Sequence, residues 1–204
     1  MRIHLLIPFL FLFPAICFSQ NEQNSLLLSG GKSWNGTGDL DGFVAEFAYS
    51  RKIKERIEFF NGLTTTIHYG KDRGFNGLSS NLSPGGTLLP FTTAGIQLTS
   101  VLNFALINSF DNQLKIGAGP IFRFQSTSLL EQYGYYQDPQ YFPEPFYVIY
   151  KAGKQNTFSP GYTVGITFQT KVTLKYEAGI KAFFQNDTNG DVITYVSLIF
   201  GRVF

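Results

Sequence analysis

The sequence predicts an all-β protein, an eight-stranded antiparallel up-and-down transmembrane β-barrel. Three observations predict it. From about residue 25 onward the apolar residues recur with a period of two, the mark of strands with two unlike faces. The connections between these segments alternate short and long, as in membrane barrels. After the N-terminal stretch, no apolar run reaches the length of a spanning helix, so any crossing must be made by strands.

Residues 1–19 read as a signal peptide. Arg2 supplies the positive start, Leu5 to Phe18 the apolar core, and Cys17 and Ser19 the small residues at the −3 and −1 positions of a cut before Gln20. Pro8 and Pro14 interrupt the run, which is in any case too short to span. Cys17 raises the alternative of a lipoprotein, but Ile16 stands where a small residue is required. The barrel domain is then 20–204, a chain without cysteine and so without disulfide or thiol chemistry. Without Arg2 the sixteen Lys and Arg fall to fifteen, against fourteen acids; this near-neutral balance excludes electrostatic nucleic-acid binding as the main task. Charged residues are only 15% of the chain and aromatics 17%, against a typical quarter charged, which fits a membrane-facing exterior.

The first strand, near 25–34, is the least regular, with Leu26 and Leu28 on its apolar face. In the second, Phe43, Ala45, Phe47 and Tyr49 oppose Val44, Glu46 and Ala48. In the third, Ile57, Phe59, Leu63, Ile67 and Tyr69 oppose Glu58, Gly62, Thr64, Thr66 and His68. Segment 91–106 alternates in the same way. Segment 114–126 sets Leu114, Ile116, Phe122 and Phe124 against Lys115, Gly117, Arg123 and Gln125. Strands follow at 162–170, at 174–184 (Leu174, Tyr176, Ile180 and Phe184 against Lys175, Glu177 and Lys181) and at 192–204. The expected connections are 35–41, a short turn at Lys52–Arg56, a loop near 70–90, a turn near 107–112, a very long loop near 128–160, a tight turn at Lys171-Val172, and a loop at 185–191.

Alternation does not say which face is outside, since a soluble lipocalin turns its apolar face inward around a ligand. Here the polar face is mostly Gly, Thr, Ser and Gln, too poor in charge for a water-facing exterior and suited to a crowded lumen. Aromatics gather toward both ends of the apolar faces: Trp34, Tyr69, Phe124, Tyr162 and Phe184 at one, Tyr49, Phe59, Phe104, Phe168 and Phe204 at the other. Two such girdles mark the two membrane interfaces.

With these strands in place, residues 20–204 resemble the small eight-stranded bacterial outer-membrane barrels of the OmpA/OmpX type. The strand Tyr195-Val-Ser-Leu-Ile-Phe-Gly-Arg-Val-Phe204 is similar to the signal read by the barrel-assembly machinery, with Phe200 and Phe204 as its aromatics. Arg202 departs from the pattern, standing where the family has an apolar or aromatic residue. The Ser-Gln cleavage site and the Phe/Tyr-rich style resemble Bacteroidota proteins. The resemblance implies insertion in the outer membrane, with lipid and the assembly machinery as partners and no appended peptidoglycan-binding domain.

The expected lumen contains Glu46, Glu58, Lys115, Arg123, Lys175, Glu177 and Lys181, which reads as a buried salt-bridge network, since charges away from water must be paired. The alternative is a narrow ion path, although a barrel of eight strands is just wide enough for its own side chains. His68, the only histidine of 20–204, faces inward by parity, and one histidine is a poor metal site. Lipid A deacylases resemble the chain in size but use His-x-Ser, whereas here the run is His68-Tyr69-Gly70. Palmitoyltransferase barrels begin with an amphipathic helix for which residues 20–25 are too few, and omptin-like proteases need a larger barrel. No catalytic, cofactor or metal site is therefore expected. The segment with Tyr133, Tyr135, Tyr136, Tyr141, Phe142, Phe146 and Tyr147 carries rigid aromatic area of the kind binding surfaces use. It is expected either to bind a surface protein or glycan or to fold over the barrel mouth.

Overall fold

The computed structural model of the protein describes residues 24–36, 40–73, 88–136 and 146–204, with side chains placed for 24–36, 40–70, 91–128 and 153–204. The signal-peptide reading of 1–19 lies outside the described residues. Eight strands run in chain order: β1 (Asn24–Asn35), β2 (Leu40–Lys54), β3 (Ile57–Arg73), β4 (Leu88–Asn108), β5 (Asn112–Tyr136), β6 (Phe146–Lys171), β7 (Tyr176–Asp187) and β8 (Val192–Val203). Each pairs antiparallel with its neighbour, and β8 returns to β1 through pairs such as Leu28 with Phe200, closing the barrel. Closure leaves no free edge in the wall, which lipid requires.

The alternation decides which face is which. Along β2, Val44, Glu46, Ala48 and Ser50 are buried, while Phe43 is 66% and Phe47 52% exposed. The same holds around the wall: Leu63, Leu98, Phe122, Ile166, Ile180 and Leu198 face outward and exposed, while Thr64, Gln97, Arg123, Thr163, Lys181 and Ser197 are buried inside. Each half-exposed large apolar side chain would forfeit about 1 kcal/mol in water. A dozen of them would rival the ~5–15 kcal/mol by which a whole domain is stable. The fold is therefore a transmembrane β-barrel whose exterior is solvated by acyl chains.

The outward faces also mark where the membrane ends. On β5 and β6 they change from Phe122, Phe124 and Phe158 to Ser126, Ser128, Lys154 and Asn156. On β1 and β2 they end at Lys32 and Asp41, which form a salt bridge of 3.1 Å with both side chains more than half exposed. The apolar stretch Phe59–Tyr69 of β3 has the length, about 9–11 residues, of a tilted crossing strand.

Several boundaries differ from the sequence expectation. The loop expected at 128–160 is largely strand, since β5 continues to Tyr136 and β6 begins at Phe146. Its polar, aromatic sequence breaks the apolar alternation because that part lies beyond the membrane, where outward residues need not be apolar. The loop expected at 70–90 is likewise shortened by strand at both ends. The tight turn expected at Lys171-Val172 lies one step later, over 172–175. There Thr173 Oγ1 accepts from the backbone N–H groups of Lys175 and Tyr176 at 3.3 and 3.2 Å, and the N–H of Val172 reaches the Tyr176 carbonyl at 2.9 Å. The expected loop at 185–191 is tightened in the same way, with Asp187 Oδ1 accepting from the N–H groups of Asn189 and Asp191 and Gly190 adopting a positive φ of 79°.

Candidate functional site

The lumen is built in three tiers, each held by side chains that reach across it from non-adjacent strands. Nearest the short-turn rim, Lys115 on β5 forms an ion pair with Glu58 on β3, and Asn103 Nδ2 donates to the same carboxylate at 3.5 Å. Glu177 is half-buried beside this pair. Gly201 faces it, where a β-carbon would come within 2.9 Å of the Glu177 side chain.

In the middle tier Lys181 on β7 forms an ion pair with Glu46 on β2, with side chains 3% and 2% exposed. Thr64 Oγ1 donates to the second carboxylate oxygen at 2.9 Å, and Ser29 Oγ lies at 3.5 Å from the first. The ammonium is surrounded by the rings of Phe60, Phe183 and Tyr195, with centroids at 5.3, 5.7 and 5.7 Å. Phe183 and Tyr195 are stacked at 5.7 Å. An ammonium over aromatic faces is attracted by their quadrupoles, most strongly when desolvated. Together with Leu27, Val44, Val101, Ile193 and Ile199, these rings form an apolar cluster inside the barrel.

Toward the long loops, Gln97 on β4 and Gln185 on β7 exchange hydrogen bonds of 2.9 and 3.1 Å across the lumen. His68 on β3 pairs with Ser33 on β1 at 2.9 Å. Gln125 donates to Asp191 at 2.7 Å and Ser159 to Asp187 at 2.9 Å. Arg123 lies in this tier and is 1% exposed.

Of the charged residues expected to form one network, the structure brings Glu46 to Lys181 and Glu58 to Lys115, with Glu177 beside the latter. Arg123 stands apart from both pairs, nearer Asp187 and Asp191. Lys175 is a correction: it is exposed in the 172–175 turn and takes no part in the lumen, because β7 begins only at Tyr176. The sequence reading missed the ring of Phe60, Phe183 and Tyr195. Inward parity with Glu58, Lys181 and Ser197 was the available signal, but an aromatic residue in these strands suggested the lipid face. Asp187 and Asp191 fall within the expected loop 185–191; Asp187 proves to end β7, and Asp191 stays in the loop with its carboxylate turned to Gln125.

Phe200 and Phe204 are outward and 55% and 60% exposed, and the Arg202 guanidinium lies 5.1 Å from the Phe204 ring. Arg202 thus covers an aromatic neighbour at the membrane edge, where its charge reaches water or headgroups.

The second feature is a ribbon. The pairing of β4 with β5 ends at Thr93 and Thr127, and that of β6 with β7 at Gly161 and Asp187. Beyond those pairs, apart from the Thr188 N–H to the Pro160 carbonyl at 2.9 Å and side-chain bonds at the rim, β5 and β6 pair among the described residues only with each other, as far as Tyr136 opposite Phe146. Ser128 Oγ accepts from the Thr92 backbone N–H at 2.9 Å, a side chain replacing the ladder just where it stops. Tyr133 pairs with Ile149 and Tyr135 with Tyr147. Tyr141 and Phe142 lie outside the described residues, as do the side chains of 129–152. Among the described residues no group of three or more His, Cys, Asp or Glu side chains is placed to hold a metal ion.

This architecture is that of the small eight-stranded outer-membrane barrels. The attachment invasion locus protein Ail of Yersinia pestis, solved with the heparin analogue sucrose octasulfate, superposes with a TM-score of 0.55 at 10% identity, over 91% of this chain and 100% of Ail. A major outer membrane protein from Thermus thermophilus does so with a TM-score of 0.56 at 10% identity, over 91% of this chain and 100% of its own. No protein-family model and no curated protein matches the sequence.

Proposed function

We propose that this protein is a non-catalytic surface protein of the bacterial outer membrane that binds a partner through the projecting β5–β6 ribbon and its tip. Residues 1–19 are removed on export, and the barrel-assembly machinery inserts the chain using the outward aromatics Phe200 and Phe204 of β8. The observation that carries the reading is the ribbon. It extends about ten residues on each strand beyond the last wall pairing, roughly 30 Å at about 3.3 Å per residue. Barrel closure does not need that length. Among the described residues its outer strand edges are unpaired, and such edges are templates for strand addition.

The partner's chemistry follows from the sequence of the ribbon. Residues 128–155 hold Glu131, Asp138 and Glu144 against Lys151 and Lys154, with tyrosine and phenylalanine in excess. That composition suits aromatic stacking on a protein or an uncharged glycan, and it lacks the basic density that a sulfated polyanion such as the ligand of Ail requires. The test is capture of partners from detergent-solubilised outer membranes and on glycan arrays. The intact chain is compared with one in which residues 129–153 are replaced by a two-residue Asn-Gly turn. Loss of binding in the shortened chain supports the ribbon; full retention overturns it.

The ion-path reading is weaker, because three tiers of side chains cross the lumen.

A further inference from the structure

Polar groups turned toward lipid are costly, because no water is there to complete their hydrogen bonds. Asn61 on β3 and Ser100 on β4 pair across the ladder. Both belong to the outward faces of their strands, flanked by the exposed Phe59, Leu63, Leu98 and Leu102. Their depth follows from the stagger of the barrel. Followed sideways from Arg202, at the short-turn end of β8, the pairings pass through Leu26, Tyr49, Asn61 and Ser100. They continue from Pro120, opposite Ser100, through Tyr162 and Asn186 and return to β8 at Val192, ten residues higher. Ten residues of strand tilted by about 45° rise roughly 23 Å, close to the ~25 Å apolar band of such barrels. Asn61 lies three of the eight steps up this climb and Ser100 four, so both sit well inside the hydrocarbon.

The pair does not satisfy itself. Ser100 Oγ donates to Asn61 Oδ1 at 2.7 Å. The Asn61 amide nitrogen carries two N–H groups, and Oδ1 keeps a second lone pair. Among the described residues no acceptor meets those N–H groups. The ladder adds a further group. The β4–β5 pairing skips Ser100 and Val101, and the residue opposite Ser100 is Pro120, which has no N–H to give the Ser100 carbonyl. Unfilled donors and unfilled acceptors thus share one patch. A second copy of the same patch, turned by a twofold axis, offers each what it lacks. A lipid tail offers neither, and ester and headgroup oxygens lie at the membrane surfaces. Ser100 and Ala118 on this face are also small, so a second wall can approach closely.

We propose that two copies of this protein associate side by side in the membrane through the outward β3–β4 face, the Asn61 amide of each donating to Asn61 Oδ1 of the other while Ser100 holds the amide in place. The reciprocal amide pair fills the second lone pair of each Oδ1 and leaves the other N–H for the Ser100 oxygens across the seam. The contact lies on the wall within the bilayer and is independent of the ribbon and of any partner it binds.

The test is energy transfer between copies in phosphatidylcholine vesicles. Residues 20–204 contain no cysteine, so Lys175→Cys in the exposed 172–175 turn takes a single dye. Donor- and acceptor-labelled barrels are mixed and reconstituted over a range of protein-to-lipid ratios. The expected result is energy transfer that saturates as the ratio rises. The half-saturation ratio should increase at least ten-fold in Asn61→Leu and at least three-fold in Ser100→Ala. The unfolding midpoint of Asn61→Leu should not fall, because the change only removes a polar group from lipid. Leu198→Ala, on the far side of the barrel, should leave half-saturation unchanged within two-fold. Heat-modifiable gel migration reports whether each variant is folded, and Ser100→Ala decides the matter if Asn61→Leu does not fold. Transfer that rises only linearly with density would mean chance proximity of monomers. A half-saturation ratio that Asn61→Leu leaves unchanged would place the contact on another face. Either result overturns the proposal.

Discussion

At the scale of single residues, the interior is governed by pairing. Lys181 and Glu46 are each almost wholly removed from solvent and meet each other, Thr64 and three rings. Removing one partner strands the other charge, so Glu46→Gln is expected to destabilise the barrel by about 3–5 kcal/mol. The double variant Glu46→Gln/Lys181→Met should recover much of that loss, as read from urea-unfolding midpoints in detergent. Lys175 provides the contrast. It is exposed in a turn, so Lys175→Ala should change stability by no more than about 0.5 kcal/mol. Were the two lysines equally sensitive, the placement of β7 would be wrong. Gly165 tests the packing of the ring cage: a β-carbon there would come within 2.5 Å of the Phe183 ring and 2.6 Å of the Ala182 carbonyl. Gly165→Ala should cost about 1–3 kcal/mol as an overpacked interior, measured by the same unfolding midpoints. Parity along each strand placed Glu46, Glu58, Lys115 and Lys181 inside from the sequence alone. Which acid meets which base was not legible, because that depends on the relative heights of strands that are not neighbours.

At the scale of elements, strand length rises from 12 residues to 26, with β2, β3 and β4 between the extremes at 15, 17 and 21. β1, β7 and β8 have 12 residues each, about what a tilted crossing uses, whereas β5 and β6 have 25 and 26. The apolar alternation ends where the membrane ends, so the sequence reported the crossing segments of β5 and β6 and left the rest as loop. Their continuation rests on backbone pairing outside the bilayer, which leaves no apolar signature. Because the ribbon strands pair, among the described residues, only with each other, replacing 129–153 by a tight turn should leave the unfolding midpoint of the barrel unchanged within error while abolishing partner capture. A large fall in the midpoint would mean that the ribbon packs onto the barrel mouth instead. β8 makes a different prediction. Phe200→Ala and Phe204→Ala are expected to reduce the fraction of heat-modifiable barrel recovered from outer membranes when both are combined, with little effect on a barrel refolded in detergent. An equal loss in both settings would assign these rings to stability and not to assembly.

At the scale of the whole molecule, the polarity of a soluble domain is reversed: apolar side chains cover the wall, and mostly polar ones, around one apolar cluster, fill the lumen. The protein should therefore require detergent or lipid to stay dispersed and should migrate differently on gels before and after boiling. The contacts Glu58–Lys115, Glu46–Lys181 and Gln97–Gln185 brace non-adjacent strands at three heights. The purified barrel is accordingly expected to give no resolved conductance steps in planar bilayers. Steady single-channel openings abolished by Lys181→Met would instead establish the ion path.

The sequence by itself determined the strand count, the direction of nearly every side chain in the crossing segments, and the inversion of inside and outside. These follow from a period of two and from the cost of leaving backbone groups unpaired in lipid, both local properties of the chain. Only the tertiary structure decided that Lys181 sits among Phe60, Phe183 and Tyr195, that Arg123 packs against Gly95, and that β5 and β6 continue as a ribbon. Each of these depends on register between strands, set by the closure of the whole barrel, and no window of sequence contains that closure.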